Sequence, residues 1–405
     1  MDRTERQKLC LKRWLAAGGK GSLECCTGFG KTRTALNLID AFTSKNPEAQ
    51  TLVIVPTQIL KDQWIEQIDA RGLGLNARVE IINSAIKLDW ICDLLVVDEV
   101  HICGSETFVQ IFQKVDYKYI LCLTGTMERL DMRHLLIEKF APICDRVTIQ
   151  EAEENGWVSP HKEYLVMINV DLSEYNEWTR KFNSYFAYFN YDFSLAMKVA
   201  TDAIARNRWA KQMGLDAKKT AAIAMDWMRM MKNRKNFIQN HPKKLEVAKK
   251  IIEARKDKKI MTFSATIKQA EAFGFGYVVH SDKKTKENSE TIAAFNAAPC
   301  GVLHSSKACN TGLDLKGVNC EIIMNTDSSK IKKVQTVGRS LRYEEGKTTE
   351  IFTLVLAGTQ EMKWFTNSKA SKVITINEEQ LDRVLAGEDI KTRERNYSEN
   401  LKFRF

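Results

Sequence analysis

No two of the ten cysteines stand three residues apart, so this 405-residue chain lacks the Cys-x-x-Cys ligand pairs of structural zinc sites. Cys25 and Cys26 adjoin, and the others are scattered singly through apolar stretches such as "ILCLTG" and "VNCEII". That is how free thiols in a reducing compartment are distributed, and it excludes a disulfide scaffold. No apolar run approaches the roughly 18 residues that a membrane span requires. The opening stretch "MDRTERQKLCLKRW" is charged where a signal peptide would be apolar. Low-complexity tracts and short repeats are absent too. The expectation is a soluble, intracellular protein of the cytoplasm.

Apolar residues make up 44% of the chain, and its length suits two or three domains. Lys and Arg number 61 against 51 Asp and Glu, a formal net charge of +10 that suits a polyanionic partner without identifying one. From residue 20 to about 150, short β-rich runs ("TLVIVP", "ARVEII", "DLLVVDE", "YILCLTGT") alternate with segments of helical periodicity. This is the pattern of an open parallel α/β sheet, whose ligands sit at the C-terminal strand ends. "EAEENGWVSP" at 151–160 breaks the pattern and marks a boundary. After one more strand-like run, "EYLVMINVDL", residues 173–239 read as helix throughout. The α/β alternation resumes near His241-Pro242. The expected organisation is an α/β domain at 1–156, a helical linker or insertion at 157–240, a second α/β domain at 241–376 and a C-terminal extension at 377–405.

Candidate chemistry begins at "LECCTGFGKTRTAL". A phosphate cradle needs inward-pointing backbone N–H groups, a helix N-terminus behind them and a cation for the outer phosphates. Thr27, Gly28, Phe29, Gly30, Lys31 and Thr32 supply these: the glycines allow close approach, Lys31 reaches the β and γ phosphates, and the Thr32 hydroxyl ligates magnesium. The strict pattern would place glycine at 25, where this chain has Cys25. Downstream, "DLLVVDEVH" is a buried strand delivering Asp98 and Glu99 at its end. Asp98 suits a metal ligand, and Glu99 suits the orientation and deprotonation of an attacking water.

These stretches resemble the superfamily 2 helicases. "CTGFGKT" is similar to their motif I, in which the first glycine is usually a small residue, so Cys25 conforms. "DEVH" resembles the DExH form of motif II, implying a coupling role for His101. "LTGT" resembles motif III, with Thr124 and Thr126 linking the ATP site to the nucleic-acid groove, and "VPTQILKDQW" resembles motif Ia, with Pro56 and Thr57 at its turn. "IMTFSAT" and "SSKACNTGLDL" resemble motifs IV and V, carrying Ser264, Ser306, Gly312 and Asp314. "QTVGRSLR" resembles motif VI. There Gln335, Arg339 and Arg342 fall on one side of a helix, and the arginines would neutralise charge on the transferring phosphoryl group. "TERQ" resembles a Q motif in which Gln7 reads adenine. The resemblance adds Ser84 to the nucleic-acid contacts.

What the resemblance implies is two RecA-like parallel-sheet domains, ATP and Mg2+ as cofactors, and nucleic acid as partner, DNA favoured over RNA. Within the superfamily the chain resembles the phage UvsW and XPB repair group, through "HICGSETF", "GRSLRYEEGK" and "GTQEMKW". That implies replication or repair proteins as further partners, and the host-cell cytoplasm if the source is a phage. Three readings stay open: a DNA helicase or branch-remodelling enzyme, an RNA helicase, and a nucleic-acid-binding ATP clamp. In the helical region Phe182, Phe186, Phe189 and Phe193 have the spacing of one packed helix face. The intervening Tyr185, Tyr188 and Tyr191 are the better candidates for stacking on bases.

Overall fold

The computed structural model describes residues 1–128, 131–306, 315–326, 348–367 and 373–390. Its apolar runs form two parallel sheets. The first contains β1 (Lys20–Cys25), β2 (Thr51–Val55), β3 (Ala77–Ile81), β4 (Trp90–Asp98), β5 (Val115–Thr124) and β6 (Ile143–Val147), in the order β3-β2-β4-β5-β1-β6. Every pairing in it is parallel. Crossover helices therefore cover both faces, which is why the central strands are apolar throughout rather than alternating. All of β2 is buried, as is Leu94–Asp98 of β4. The register sets Asp98 beside Leu123 of β5, and Leu123 beside Leu23 of β1. The strand ends that carry the candidate nucleotide residues thus share one edge of the sheet.

The second sheet contains β7 (His161–Ile168), β8 (Lys259–Ser264), β9 (Tyr277–Val279), β10 (Gly301–Ser306), β11 (Val318–Ile323), β12 (Thr349–Leu356) and β13 (Val373–Asn377), in the order β13-β7-β12-β11-β8-β10-β9. The expected linker at 157–240 therefore opens with a strand of this sheet. β7 pairs with β12 along its whole length and with β13 on its other side. Its partners lie far downstream, so no local pattern in the sequence could assign it to a sheet. The edge strands β6 and β13 are short and only partly buried, which weakens their apolar signal.

Between β7 and β8 lie the helices Ser173–Ala187, Phe193–Thr201, Ala203–Gln212 and Ala217–Asn240. They have their own core, centred on the fully buried Trp227. The rings of Phe182, Phe186, Phe189 and Phe193 all lie 5.6–6.1 Å from that of Trp227. They converge without sharing one helix, because the chain turns at Asn190 and Tyr191, both at positive φ. The expected single face is in fact a helix end, a turn and a helix start folded around one indole. Tyr188 is tied to Thr220 at 3.0 Å, whereas Tyr191 is exposed.

The helix Pro242–Ala254 leads into the second sheet, and it carries a lysine with no exposed surface. Lys244 Nζ lies 2.7 Å from Glu361 and also donates to the Met324 carbonyl and Asn325 Oδ1. The Glu361 carboxylate accepts the N–H groups of Leu356 and Thr326 as well. Burial works against both charges, lowering the pKa of Lys244 and raising that of Glu361. The pair survives because nearly every polar atom in it has a partner. Lys244→Met strands a buried carboxylate, and chemical denaturation should show a loss of about 3–5 kcal/mol. Lys244→Met/Glu361→Gln, which removes that charge while keeping an acceptor, should recover part of the loss. Equal stability of the single and double variants would contradict this account.

Candidate nucleotide site

β1 ends at Cys25, and helix α2 (Lys31–Lys45) starts five residues after Cys26. Gly28 and Gly30 between them have φ of 87° and 99°, the left-handed region that glycine enters without cost. A Cβ on Gly30 would stand 2.7 Å from Gln7 Nε2, so no larger residue fits without moving that amide. The first turn of α2 contains no acidic side chain, which leaves its positive dipole end free to act on an anion. Lys31 Nζ reaches back to the Cys25 carbonyl at 3.3 Å, and Thr32 follows it, half-buried. Burial pushes the Cys26 thiol up to about 11.

Helix α1 (Arg3–Ala16) packs behind the loop. Gln7 donates through Nε2 to the Phe29 carbonyl at 2.9 Å, while its Oε1 is buried without a partner among the described residues. Arg3, one turn earlier, donates through Nε to the same carbonyl at 2.8 Å and through Nη2 to that of Gly28. The sequence reading missed Arg3; its four-residue spacing from Gln7 on a helix was the available signal. α1 is itself locked in place by Arg6, which pairs with the buried Asp145 of β6 and with Glu151, and by Arg13, also on Asp145.

At the end of β4 the Asp98 carboxylate is 4% exposed. It accepts the indole N–H of Trp64 at 2.9 Å, from helix α3 (Gln58–Asp69), and the backbone N–H of Glu99 at 2.9 Å. Burial and the neighbouring Glu99 charge push Asp98 up to about 6, against the opposing pull of Trp64 and the Lys31 charge. Trp64 was not anticipated, because the sequence does not show which face of α3 meets β4. Glu99 has φ 51°, a strained value for a non-glycine residue that ends the strand and turns its side chain toward His101. His101 Nδ1 lies 3.4 Å from that carboxylate and 3.2 Å from Thr124 Oγ1. Thr124 then donates to the Thr126 carbonyl at 2.9 Å. Glu24, also missed, accepts the Met127 N–H at 3.0 Å and so ties this segment to β1 just ahead of the glycine loop.

The candidate nucleic-acid residues all fall at C-terminal strand ends. Pro56 and Thr57 follow β2, where Thr57 Oγ1 caps α3 by accepting the Leu60 N–H, and the exposed Ser84 follows β3. Ser264 and Ser306 end β8 and β10 as register partners, each with a buried hydroxyl that has no partner among the described residues. Gly312, Asp314, Gln335, Arg339 and Arg342 lie outside the described residues. Among the described residues no group of His, Cys, Asp and Glu could hold a metal by itself, and no helix is long and apolar enough to cross a membrane. A divalent ion at this edge would need oxygens from a bound nucleotide beside Asp98 and Thr32, as is usual for Mg2+.

A glycine loop leading into a helix, an acidic strand end and a second parallel sheet define a RecA-like architecture. Solved structures have the same fold. One is yeast (S. cerevisiae) Dbp5 bound to RNA and ADP BeF3 (TM-score 0.59, 13% identity, 94% of this chain and 91% of that one). Another is the helicase domain of Pyrococcus furiosus Hef (TM-score 0.54, 13% identity, 90% and 97%). The family described as type III restriction enzyme, res subunit, matches residues 1–90, and the helicase conserved C-terminal domain matches 243–344. The DNA 3'-5' translocase XPB2 of Sulfurisphaera tokodaii is 24% identical over 88% of this chain and 82% of its own length. A putative ATP-dependent RNA helicase of Acanthamoeba polyphaga mimivirus is 25% identical over 38% of this chain and 32% of its own length. Together these matches support a superfamily 2 helicase and an ATP-dependent helicase enzyme.

The seat of α1 can be tested through Asp145. Burial raises its pKa, but the hydrogen bonds from Arg6 and Arg13 outweigh burial and hold it below the usual aspartate value. Its contribution to stability is therefore complete above the unfolded aspartate pKa, about 4, and is lost as pH falls through the lower native value. Asp145→Asn should cost about 3–5 kcal/mol at pH 7. The gap from wild type in thermal unfolding should narrow as the pH is taken below about 4. A gap independent of pH would refute the ion-pair account.

Proposed function

We propose that this protein is a DNA translocase of the DExH type that couples Mg-ATP hydrolysis to unwinding or remodelling of duplex or branched DNA. The observation that carries this reading is the shared strand-end edge that holds the glycine loop with Lys31 and the buried Asp98-Glu99 pair. The similarity to XPB2 along nearly the whole chain supports DNA over RNA.

In this reading the loop 27–30 and the first turn of α2 bind the phosphates through backbone N–H groups, and Lys31 neutralises the outer ones. Gln7 Oε1 suits the exocyclic amine of adenine, since it is a buried acceptor without a donor among the described residues. Thr32 and Asp98 would hold magnesium, which supplies charge neutralisation on the phosphates. Glu99 orients and deprotonates the attacking water, and its contact with His101 leads through Thr124 to Thr126. Gln335, Arg339 and Arg342 are assigned to the same reaction from the second half, with Gly312 and Asp314 beside them. Pro56, Thr57, Ser84, Ser264 and Ser306 are assigned to the strand, held chiefly by its phosphates, so affinity should fall with salt.

ATP hydrolysis measured with single-stranded DNA, forked duplex DNA and RNA tests this reading. DNA should stimulate turnover more than RNA, and Lys31→Ala should lower kcat on the order of a hundredfold, as loss of a charge-stabilising group does. Stimulation by RNA alone would move the assignment to an RNA helicase. Hydrolysis unaffected by any nucleic acid would refute the motor.

A further inference from the structure

We propose that Trp157 is a positioning residue that couples the phosphate loop to the connector entering the second sheet. The inference rests on the nucleotide reading of that loop and adds a path out of it.

Phe29 stands at the tip of the loop, between two glycines of left-handed backbone, yet its side chain has no exposed surface. A loop that admits phosphates has no need of a buried aromatic anchor at its tip. The ring packs against Trp157 at 5.6 Å between centroids, inclined by 57°. Trp157 is not part of the strand-and-helix frame around the nucleotide; it opens the connector that leaves the first sheet. It is 4% exposed, and its indole N–H donates to the Met1 carbonyl at 3.1 Å. Val158 and Ser159 after it are fully enclosed. The Pro160 carbonyl accepts the Thr349 N–H of β12 at 3.0 Å, and β7 begins at the next residue. His161 at its start is paired with Glu153 at 2.5 Å.

Contacts thus run from Phe29 to Trp157, and the buried connector after Trp157 joins β7 and β12. The two glycines let the loop backbone rotate, while Arg3 and Gln7 hold its carbonyls from the other side. Movement of Phe29 on phosphate binding would press on the Trp157 ring, and Trp157 leads in four residues to the second sheet. Close-packed interiors transmit such displacement rather than absorb it. This fits a motor in which the nucleotide must bias the relation of two sheets.

The measurement is thermodynamic coupling in the full-length chain: the Kd for a labelled forked DNA with and without a non-hydrolysable ATP analogue, and the Kd of the analogue itself. Coupling between two sites is commonly 5- to 150-fold, and it is reciprocal. Trp157→Ala should bind the analogue within about threefold of wild type but lower the coupling factor about tenfold, and Trp157→Phe should restore most of it. Unchanged coupling in folded Trp157→Ala, or loss of analogue binding with the coupling, would overturn the proposal. Should Trp157→Ala fail to fold, hydrogen exchange in wild type decides. Altered amide protection at 157–168 on adding the analogue supports the path, and change confined to 26–32 refutes it. Wild type that does not bind the analogue, or Lys31→Ala that binds it equally well, instead strikes the nucleotide reading beneath.

Discussion

The constraint on which the first half depends is a carboxylate held at the end of a wholly apolar strand. Asp98 is buried, its pKa raised by that burial, and it keeps its place through the Trp64 indole and the Glu99 amide. An unpaired buried charge is costly, so the surroundings must be rigid and donor-rich. The apolar run that delivers Asp98 requires a sheet covered on both faces. The indole requires α3 to cross at one height, and the amide requires Glu99 to leave the strand in a left-handed conformation. Each requirement lowers stability or narrows the sequence, and together they fix a carboxylate two strands from the one that leads into the glycine loop.

Two buried ion pairs serve as fasteners in the two halves. Arg6 with Asp145 seats α1, and so Arg3 and Gln7, against the glycine loop. Lys244 with Glu361 gathers the helix Pro242–Ala254, the end of β11 and the turn after β12. Asn325 extends that cluster to Gln269, whose amide spans from the Gln239 carbonyl to the Ala265 N–H beyond β8. Apolar side chains of equal volume could match such pairs in stability. They could not supply directed hydrogen bonds to several chain ends at once, and strand ends are where both sheets present their candidate residues.

The two-sheet fold was legible because parallel sheets write themselves as unbroken apolar runs, and the glycine loop with its acidic strand end because both are contiguous in sequence. The assignment of β7 was not legible, since its neighbours are distant in the chain, nor were β6 and β13, whose edge positions dilute their pattern. In the site, Lys31, Asp98 and His101 could be named from motifs. Trp64 and Glu24 act through contacts across 34 and 103 positions that no spacing encodes, whereas Arg3 stands one helical turn from Gln7. The phenylalanine series shows the remaining failure: its period was right for contact with one partner, but the glycine-free turn at Asn190-Tyr191 replaced the helix assumed to carry it.

The helical unit between β7 and β8 places much of the chain's charge. Residues 173–240 contain twelve Lys and Arg against six Asp and Glu. Asp192, Asp202 and Asp216 accept N–H groups at helix N-termini. Glu177 and Asp226 pair with Lys181 and Arg229 within their own helices, and Glu174 lies in a first turn. The acids are thus occupied with holding the helices, whereas Lys198, Arg208, Lys211, Lys218, Lys219, Lys232 and Lys235 are exposed. With an independent core around Trp227 and twice as many basic as acidic side chains, the unit presents a positive field. A polyanion lying along the strand-end edges of the two sheets would meet that field, and the energy of the meeting would come from displaced counterions rather than from base contacts.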